Sequence, residues 1–298
     1  MEICKELKYL DNTVVGLGFF DGVHIGHKEL INSLVKTAKE NNLKSVLVTF
    51  NKSPAEKFVG KVEYISTNIE KEKLLENLGV DYLFELEFDE FLMNLSAQDY
   101  LEKKIVKYLK PKYIFTGFNH TFGKNKLGTP EMLTKFSTKF GYRYVRINPI
   151  KYDDKVVSST RIRALLSKGD IDKVNKLLDR PYSIEGVVKT GQKLGRTIGF
   201  PTINIDYPNV KVKLPYGVYS VSVELDGCIY KGIMNFGIKP TVNDLKKTPI
   251  VEVHILNFDK NVYNKPVKIN LLKWIREERK FASIEDLKSQ IEKDIKNA

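Results

Sequence analysis

The stretch Gly18-Phe19-Phe20-Asp21-Gly22-Val23-His24-Ile25-Gly26-His27 decides how the first half of this chain is interpreted. It follows an apolar run and precedes an amphipathic one, so it joins a predicted strand to a predicted helix. Gly22 and Gly26 allow the backbone to turn sharply and to approach a ligand closely. His24 and His27 are three residues apart and share one face of a helical turn. Because a helix N-terminus attracts anions, the pair predicts a phosphate site in which two imidazoles stabilise charge at phosphorus.

Two other roles compete with phosphate binding for these histidines. Helix capping and core packing would each explain a single histidine, but two of the four histidines of the chain occur in this one HxGH unit. A metal site is disfavoured because no third His or Cys and no cluster of carboxylates accompanies the pair. The unit therefore favours a catalytic phosphate site.

Around this stretch, apolar runs alternate with amphipathic ones through the first half of the chain. Near-continuous apolar strands separated by helices are typical of a parallel sheet covered on both faces, which binds ligands at the carboxyl ends of its strands. The predicted strands are Thr13–Phe19, Lys44–Phe50, Tyr82–Leu86, Lys112–Thr116 and Tyr142–Ile147. The predicted helices cover residues 27–40, 68–78, 96–109 and 130–139, then Arg161–Ser167 and Ile171–Leu178.

The second half of the chain has a different pattern. Asp179-Arg180-Pro181 breaks the last of those helices, since proline disfavours helix in the residue before it, and this predicts domains at 1–181 and 182–298. Short Val-, Ile- and Tyr-rich runs then follow one another, and Asp226-Gly227 indicates a hairpin, so a six-stranded antiparallel barrel is expected. A capping pattern at Ser283 predicts a terminal helix. The predicted strands are Ser183–Lys189, Thr202–Ile205, Gly217–Leu225, Cys228–Asn235, Ile250–Leu256 and Pro266–Leu272.

Composition and charge exclude several classes of protein. With 298 residues, of which 42% are hydrophobic, the chain can form two domains with separate cores and is unlike a disordered or collagen-like chain. The net charge of +12 suits an anionic partner, but it is divided evenly between the two halves without a basic tail, so nucleic acid is not an expected partner. A polar N-terminus, the lack of a long apolar run and two cysteines without metal spacing predict a cytoplasmic protein with no membrane partner.

The HxGH stretch resembles the nucleotidyltransferase superfamily that includes class I aminoacyl-tRNA synthetases. Its residues from Phe20 to His27 resemble those of the bacterial bifunctional riboflavin kinase/FAD synthetases. Val157–Arg163 resembles the segment that in this family faces the histidines across the ATP site, and its hydroxyls and arginines suit a triphosphate. Gly117–Gly123 resembles a nucleotide-contacting loop, in which His120 stands where an aromatic ring is usual. The resemblance implies catalytic roles for His24, His27 and Arg163. It implies cofactor-binding roles for Gly18, Phe20, Asp21, Gly22, Gly26, Asn119, Ser159 and Thr160.

The first half also departs from the family. Thr49–Pro54 aligns with a stretch that usually reads T-F-x-P-H-P, but Lys52 replaces the first proline and Ser53 replaces the histidine. Phe19 stands where many members have Asn. These departures concern the fine positioning of ATP or flavin, and they keep open the alternative of a riboflavin kinase with weak or absent adenylyltransferase activity.

A second candidate site follows the predicted boundary, in Gly191–Asn204. Thr202 and Asn204 are two residues apart on a predicted strand and point to one face, and their oxygens are hard ligands that suit Mg²⁺. From the residues alone, a glycine-rich hairpin with a solvated basic tip is the better explanation. The region resembles the riboflavin kinase module, whose signature G-x-P-T-A-N is matched here with Ile203 at the Ala position. The resemblance implies cofactor-binding roles for Gly191, Lys193, Gly195 and Arg196.

Three later segments match the same module. Gly232–Thr241 resembles G-x-x-N-x-G-x-(R/K)-P-T and implies that Asn235 contacts cofactor. Val251–His254 resembles the strand that carries the catalytic glutamate, which implies that Glu252 is the general base for the ribityl 5′-hydroxyl; without the resemblance, a solvent-facing Glu between valines would be expected. Leu271–Phe281 resembles the flavin-side helix of the family, in which Trp274 is expected to pack in the core.

The resemblance covers nearly the whole chain and implies an α/β protein with two activities. A Rossmann-like nucleotidyltransferase domain with a parallel sheet would adenylylate FMN to FAD and release pyrophosphate. A six-stranded antiparallel barrel with a terminal helix would phosphorylate riboflavin to FMN with ATP and Mg²⁺. The expected partners are riboflavin, FMN and ATP, and the oligomeric state stays open. Two rival functions are considered. A flavin-binding regulator that contacts RNA would not need both sets of catalytic residues. A tRNA synthetase fragment would not include the kinase-like second half.

Overall fold

The computed structural model describes residues 1–191, 194–238 and 249–298. Contacts divide the chain into two compact units, Met1–Ser159 and Thr160–Ala298. The predicted domain boundary after residue 181 lies further along the chain than this division and stays a prediction.

A parallel sheet forms the centre of the first unit, as predicted, with six strands rather than the five predicted ones. Its strands are β1 (Glu2–Cys4), β2 (Thr13–Leu17), β3 (Lys44–Phe50), β4 (Tyr82–Leu86), β5 (Pro111–Gly117) and β6 (Arg143–Ile147). They lie in the order β1-β4-β3-β2-β5-β6, and every neighbouring pair is parallel. The sequence did not predict β1, since its three residues are exposed or half-exposed and form no apolar run.

Helices and short turns connect these strands. The helices are α1 (Ile25–Glu40), α2 (Glu56–Val59), α3 (Asn68–Asn77), α4 (Glu90–Asn94), α5 (Ala97–Asp99), α6 (Lys107–Leu109) and α7 (Pro130–Phe140). The predicted helix at 96–109 is divided, because a π-helical segment, Tyr100–Val106, separates α5 from α6. The two-residue strands β7 (Lys151–Tyr152) and β8 (Lys155–Val156) form a hairpin, and α8 (Ser159–Leu166) begins at the end of the unit.

Both faces of the parallel sheet are covered. All five residues of β2 are buried. Val14 belongs to the apolar cluster that contains Leu34 of α1, whereas Val15 belongs to the cluster that contains Leu101 of the π-helical segment. Because successive residues of a strand point to opposite faces, this division explains why β2 is an unbroken apolar run rather than an alternating one.

An antiparallel barrel forms most of the second unit. After α9 (Ile171–Leu178), its elements are β9 (Tyr182–Val187), α10 (Leu194–Thr197), β10 (Ile203–Asp206), β11 (Gly217–Leu225), β12 (Cys228–Ile238), β13 (Pro249–Ile255), β14 (Pro266–Glu277) and the terminal helix α11 (Ile284–Lys296). The strand order is β10-β13-β12-β11-β14-β9. The sheet nearly closes, because Lys189 N, just beyond β9, donates to Asn204 O of β10 at 2.8 Å. Asp226 and Gly227 have positive φ angles of 50° and 77°, as a two-residue hairpin turn requires.

The prediction of a helix over Leu271–Phe281 was wrong. Strand β14 continues to Glu277, where it pairs with Gly217 of β11. Register shifts along this pairing disturb the two-residue alternation by which a strand is predicted. The helix of this region is α11 instead, and Ser283 Oγ accepts from Asp286 N at 3.0 Å at its start, as the capping pattern predicted.

Candidate active sites

The first candidate site lies where the order of the parallel sheet changes direction. Strand β2 has β3 on one side and β5 on the other, so the connections leave it towards opposite edges of the sheet. A crevice forms at such a switch point outside the carboxyl ends of the strands. The loop from Gly18 to His24 follows β2, and the loop from Phe118 to Gly123 follows β5. The fold therefore brings two of the predicted nucleotide-binding loops to adjacent strand ends.

The loop after β2 is a tight turn with a strained backbone. Phe20 and Val23 have positive φ angles of 58° and 41°, which cost a residue with a side chain about 1 kcal/mol each. Gly22 has a φ of 77°, and a Cβ on it would lie 2.7 Å from Ile65. The ring of Phe20 is 1% exposed and contacts the edge of His27. The predicted residue Phe20 thus supports the loop from within the core.

Asp21 also braces this loop. Its carboxylate is buried and accepts from the backbone N–H groups of Ile65 at 2.9 Å and Ser66 at 3.4 Å. Its carbonyl accepts from Ser159 Oγ at 2.9 Å. The side chains of the predicted residues Asp21 and Ser159 therefore connect the loop to two other segments of the first unit.

His24 and His27 form a stacked pair at the start of α1. Their ring centroids are 3.6 Å apart and the ring planes differ by 16°. His24 is the N-cap residue, and its Nδ1 accepts from His27 N at 3.3 Å. In a neutral ring, a nitrogen that accepts leaves the proton on the other nitrogen, so His24 presents Nε2–H as a donor.

The environment of His27 keeps it neutral. Burial lowers the pKa of His27 well below its ordinary value, and the neighbouring His24 lowers it further. Its Nδ1 is buried and has no hydrogen-bond partner among the described residues. Buried polar atoms are normally satisfied, so this nitrogen is available for a ligand atom. Gly26 permits the stacking, because a Cβ there would lie 3.2 Å from the His24 ring.

The loop after β5 presents Asn119 to solvent. Arg146 holds the preceding turn, since its Nε and Nη2 donate to Phe118 O at 3.1 and 2.6 Å. His120 lies parallel to Phe122, with ring centroids 5.8 Å apart, so it presents a flat ring at this position. Burial lowers the pKa of His120 to about 4, and its Nε2 has no partner within the described segments.

The remaining residues that are predicted to bind phosphate at the first site are divided between the two units. Ser159 is the last residue of the first unit, and Thr160 and Arg163 belong to the second. Arg163 Nη2 donates to Thr160 Oγ1 at 3.3 Å within the short helix α8. The predicted assembly of these residues opposite the histidines stays a prediction.

The segment after β3, which differs from the family pattern, forms its own hydrogen-bond network. Tyr64 Oη accepts from Ser53 N at 2.9 Å and donates to Glu56, and burial together with that carboxylate raises the pKa of Tyr64 to about 12. The rings of Phe19 and Tyr64 are 5.8 Å apart. Phe19 and Ser53, the two residues that differ from the family pattern, thus both contact Tyr64.

A buried ion pair lies next to Phe19 and was not predicted from the sequence. Lys71 Nζ lies 3.1 Å from Glu85 Oε1 and 5.2 Å from the centre of the Phe19 ring, and it donates to Phe50 O at 3.3 Å. Burial lowers the pKa of Lys71, with Glu85 opposing that effect. The signal was present as a glutamate in an otherwise apolar predicted strand, since a charge buried in a strand requires a partner.

The second candidate site is a row of side chains across the barrel. Glu252 of β13 is paired with Asn204 of β10 on one side and with Asn235 of β12 on the other. Directly opposed residues of an antiparallel pair point to the same face with Cβ atoms roughly 5 Å apart. The structure therefore brings together three predicted residues from three different strands.

This row opens into a cavity of about 310 Å³. Apolar surface comes from Phe200, Val218, Ile233, Leu287 and Ile291, and polar or charged groups come from Thr202, Asn204, Asn235, Glu252, His254, Arg276, Glu278, Arg279 and Asp294. A cavity that combines apolar surface with polar groups is typical of a site for a small organic molecule. His254 Nδ1 is 2.8 Å from Pro201 O, so it holds the segment that leads into β10.

A second cavity of about 350 Å³ shares Thr202 with the first. Arg196, Phe258, Lys260 and Tyr263 contribute to its walls. The strand residues of this second cavity, Ile203, Val253 and Ile255, alternate with those of the first, so the two cavities lie on opposite faces of β10 and β13 and adjoin at Thr202. Arg196 and Lys260 supply two cations and Asp259 supplies one carboxylate, so the second cavity suits an anionic ligand.

Two glycines of the predicted phosphate loop are required by close contacts. A Cβ on Gly191 would lie 2.4 Å from Asn204 Nδ2, and a Cβ on Gly195 would lie 2.3 Å from Phe200 O. Arg196 is exposed and borders the second cavity. Lys193, and Lys239 to Thr241 of the later motif, lie outside the described residues.

The donor set for a metal is small. Within the described part of the chain, no group of three or more His, Cys, Asp or Glu side chains is arranged to hold a metal ion. Thr202 and Asn204 offer a hydroxyl and an amide oxygen on the face that lines the first cavity. Mg²⁺ commonly takes one or two protein oxygens and completes its shell with phosphate and water, so this pair fits Mg²⁺ bound together with a nucleotide.

Fold and site define a class of protein, an HxGH nucleotidyltransferase sheet joined to a flavin-kinase barrel. A family model described as FAD synthetase matches residues 6–161, and one described as riboflavin kinase matches residues 178–298. The chain belongs to the family of bifunctional riboflavin kinase/FMN adenylyltransferases. It is 37% identical to the Bacillus subtilis member over 96% of this chain and 91% of that protein. It is 36% identical to the Haemophilus influenzae member over 98% and 94%.

Among solved structures, one named a macrolide-efflux protein from Streptococcus pneumoniae has the same fold. Its TM-score is 0.90 and its identity is 31%, with coverage of 99% of this chain and 97% of that chain. In the segments that the structure describes here, no helix is long and apolar enough to cross a membrane.

Proposed function

We propose that this chain makes FAD from riboflavin in two ATP-dependent steps, with one site for each step. The barrel phosphorylates riboflavin to FMN, and the parallel-sheet domain adenylylates FMN to FAD. The observation that carries the proposal is that one chain has both a stacked histidine pair at a sheet switch point and a Glu252 row that opens into an apolar cavity. A chain that had lost one activity would be expected to have lost one of these sets.

In the kinase step, the isoalloxazine ring of riboflavin occupies the apolar part of the first cavity. Its ribityl 5′-hydroxyl lies at Glu252, and ATP occupies the second cavity with its γ-phosphate near Thr202. Glu252 takes the proton of the 5′-hydroxyl as that oxygen forms a bond to the γ-phosphorus. The bond between the γ-phosphorus and the β,γ-bridging oxygen breaks, and ADP leaves.

Asn204 and Asn235 flank Glu252 and would fix its carboxylate by hydrogen bonds, while Arg196 would add positive charge on the ATP side. Lys193, outside the described residues, stays a predicted cofactor-binding residue. Thr202 and Asn204 would hold Mg²⁺. When bound, Mg²⁺ supplies positive charge that offsets the charge of the phosphates.

In the adenylyl step, a phosphate oxygen of FMN attacks the α-phosphorus of ATP, and pyrophosphate leaves. No protein nucleophile is required. The Nε2–H of His24 and the ring of His27 would donate to oxygens on which charge increases during the attack. Neutral imidazoles suffice as donors, because the depressed pKa of His27 leaves it uncharged at neutral pH.

Other groups would position the triphosphate. Ser159, Thr160 and Arg163 would hold the β- and γ-phosphates, and Asn119, exposed on the loop after β5, would contact the nucleotide. Gly18, Gly22 and Gly26 allow the backbone to turn close to the ligand, and Phe20 and Asp21 keep that backbone in its strained form.

The experiment that tests the proposal is a time course with riboflavin, ATP and Mg²⁺, in which the flavins are separated by chromatography. FMN should appear first and FAD should follow. FMN that accumulates without FAD would instead identify a kinase that lacks adenylyltransferase activity. We also propose that the protein acts in the cytoplasm, where ATP is available, and that it does not require nucleic acid; added RNA should leave both rates unchanged.

A further inference from the structure

The terminal helix α11 is held to the barrel in an unusual way. The residue of α11 that is fully buried is Asp294, which is 1% exposed. Its apolar residues are covered less well, and Ile284 is 54% exposed. A helix of a globular domain normally buries its apolar stripe, and buried carboxylates are rare unless they are paired. A buried charged residue therefore anchors α11 to the barrel, alongside the half-buried apolar residues Leu287, Ile291 and Ile295.

The partner of Asp294 is Arg276 of β14. Arg276 Nε lies 3.0 Å from both carboxylate oxygens, and Nη2 lies 2.7 Å from Oδ2. The third nitrogen, Nη1, donates to Glu277 O at 2.9 Å. Gln290 Nε2 donates to Asp294 Oδ1 at 2.7 Å. A forked guanidinium–carboxylate contact fixes orientation as well as distance, and all three nitrogens of Arg276 are used within the protein.

This ion pair forms part of the wall of the first cavity. Arg276 and Asp294 both border it, and so do Leu287 and Ile291 of α11. Arg276 also lies in the same row across the barrel as the candidate base. It is paired with Val218, Val218 with Asn235, and Asn235 with Glu252. The row thus has the general base towards one end and the attachment point of α11 at the other.

We infer that the Arg276–Asp294 pair is a latch that sets the position of α11 as the wall of the flavin cavity, so that Leu287 and Ile291 pack against the isoalloxazine ring. The inference rests on the proposed kinase function. Arg276 and Asp294 border the cavity, but their polar atoms are bonded within the protein, so they are positioning residues that act on the flavin through α11. An apolar ligand in the cavity would bury the apolar side chains that α11 leaves partly exposed there. The latch holds α11 in place, so Leu287 and Ile291 can stay exposed to the cavity and contact the flavin.

The test is an Asp294→Asn variant of the full chain. Riboflavin affinity is measured by quenching of flavin fluorescence, and KM and kcat are measured for riboflavin and ATP. We expect the Kd and KM for riboflavin to rise roughly tenfold or more, with the KM for ATP and the rate of FAD formation from supplied FMN unchanged. Emission of Trp274, the single tryptophan of the chain and a residue of β14, reports whether the barrel is folded.

Two further variants make the outcome decisive. Asp226→Asn removes a carboxylate from the exposed pair with Lys265 in the same barrel and should leave riboflavin affinity unchanged. The double variant Arg276→Met, Asp294→Leu replaces the pair with apolar side chains, which restores burial without the directional fork. We expect it to be folded and still weak in riboflavin binding. A folded Asp294→Asn variant with the affinity of the wild type, or a double variant that recovers that affinity, would overturn the latch.

Failure of the proposed function gives a separate result. A wild-type protein that binds riboflavin without phosphorylating it would contradict the kinase assignment, while the binding comparison among the variants would still decide the latch.

Discussion

The two candidate sites are built in opposite ways. The histidine site of the parallel sheet is local in sequence, since ten consecutive residues supply the turn, the helix start and both imidazoles. The Glu252 site is distributed, since its three central polar residues come from three strands and meet only through the register of the barrel. A local site depends on the backbone of one loop, whereas a distributed site depends on the alignment of several strands. Substitutions in the two sites should therefore have separable effects.

The largest effect is expected for Glu252→Gln. This change keeps the shape of the side chain and removes the base, so FMN formation should fall by about 10³-fold, within the range for general bases. FAD formation from supplied FMN should stay at the wild-type rate. Both rates are measured by chromatography of the flavins. A Glu252→Gln protein that still phosphorylates riboflavin at an ordinary rate would remove Glu252 from the mechanism.

The reciprocal change is His24→Ala or His27→Ala. Each removes a donor from the site where charge develops, so FAD formation should fall by about 10²-fold or more, with riboflavin phosphorylation unaffected. Pyrophosphate release from FMN and ATP is the measurement. An unchanged rate in both variants would show that the histidine pair is structural.

A smaller effect is expected for Gly22→Ala, which tests the strain of the local site. The new Cβ would meet Ile65 at 2.7 Å on a backbone with a φ of 77°, and we expect a loss of about 3 kcal/mol in the stability of the first domain. Gly141→Ala is the matched control, because Gly141 has a φ of 71° but open space around its Cβ position. Thermal unfolding of the two variants separates the clash from the backbone cost, and equal losses would contradict the assigned clash.

The smallest effect is expected for His120→Phe, and it depends on pH. The pKa of His120 is about 4 in the folded protein and 6.5 as the ordinary value. Between these values the unfolded chain binds the proton that the folded protein excludes, so the folded wild type loses stability as the pH falls from 6.5 towards 4. Phenylalanine does not titrate, so it removes this loss. The free energy of unfolding of the variant minus that of the wild type should therefore be on the order of 2 kcal/mol more favourable at pH 5 than at pH 7.5. Urea unfolding at the two pH values measures it, and a pH-independent difference would contradict the buried neutral state.

The sequence predicted the architecture because both halves have strong periodic patterns. Buried parallel strands, the Asp226-Gly227 hairpin and the start of α11 at Ser283 all follow from local residue choice. Family resemblance was needed for Glu252, because a glutamate between two valines has the pattern of an ordinary exposed strand residue. The helix that the resemblance implied over Leu271–Phe281 was wrong, and the register shifts of β14 also hide the strand pattern beyond Leu272.

The supporting contacts could not be predicted from the sequence. The Lys71–Glu85 and Arg276–Asp294 pairs join residues from different elements, and only the fold brings these charges together. The tautomer of His24 likewise depends on a backbone N–H that points to its ring. Residue types and spacing indicate which chemistry is present, and the three-dimensional contacts determine which atoms are available for it.

The central claim is that one chain carries two separate ATP-consuming reactions joined by FMN. The most direct measurement is the product stoichiometry while the wild-type protein converts riboflavin to FAD. We expect one ADP for each riboflavin phosphorylated and one pyrophosphate for each FAD formed. FAD that appears without ADP, or FMN that accumulates with no pyrophosphate release, would contradict it.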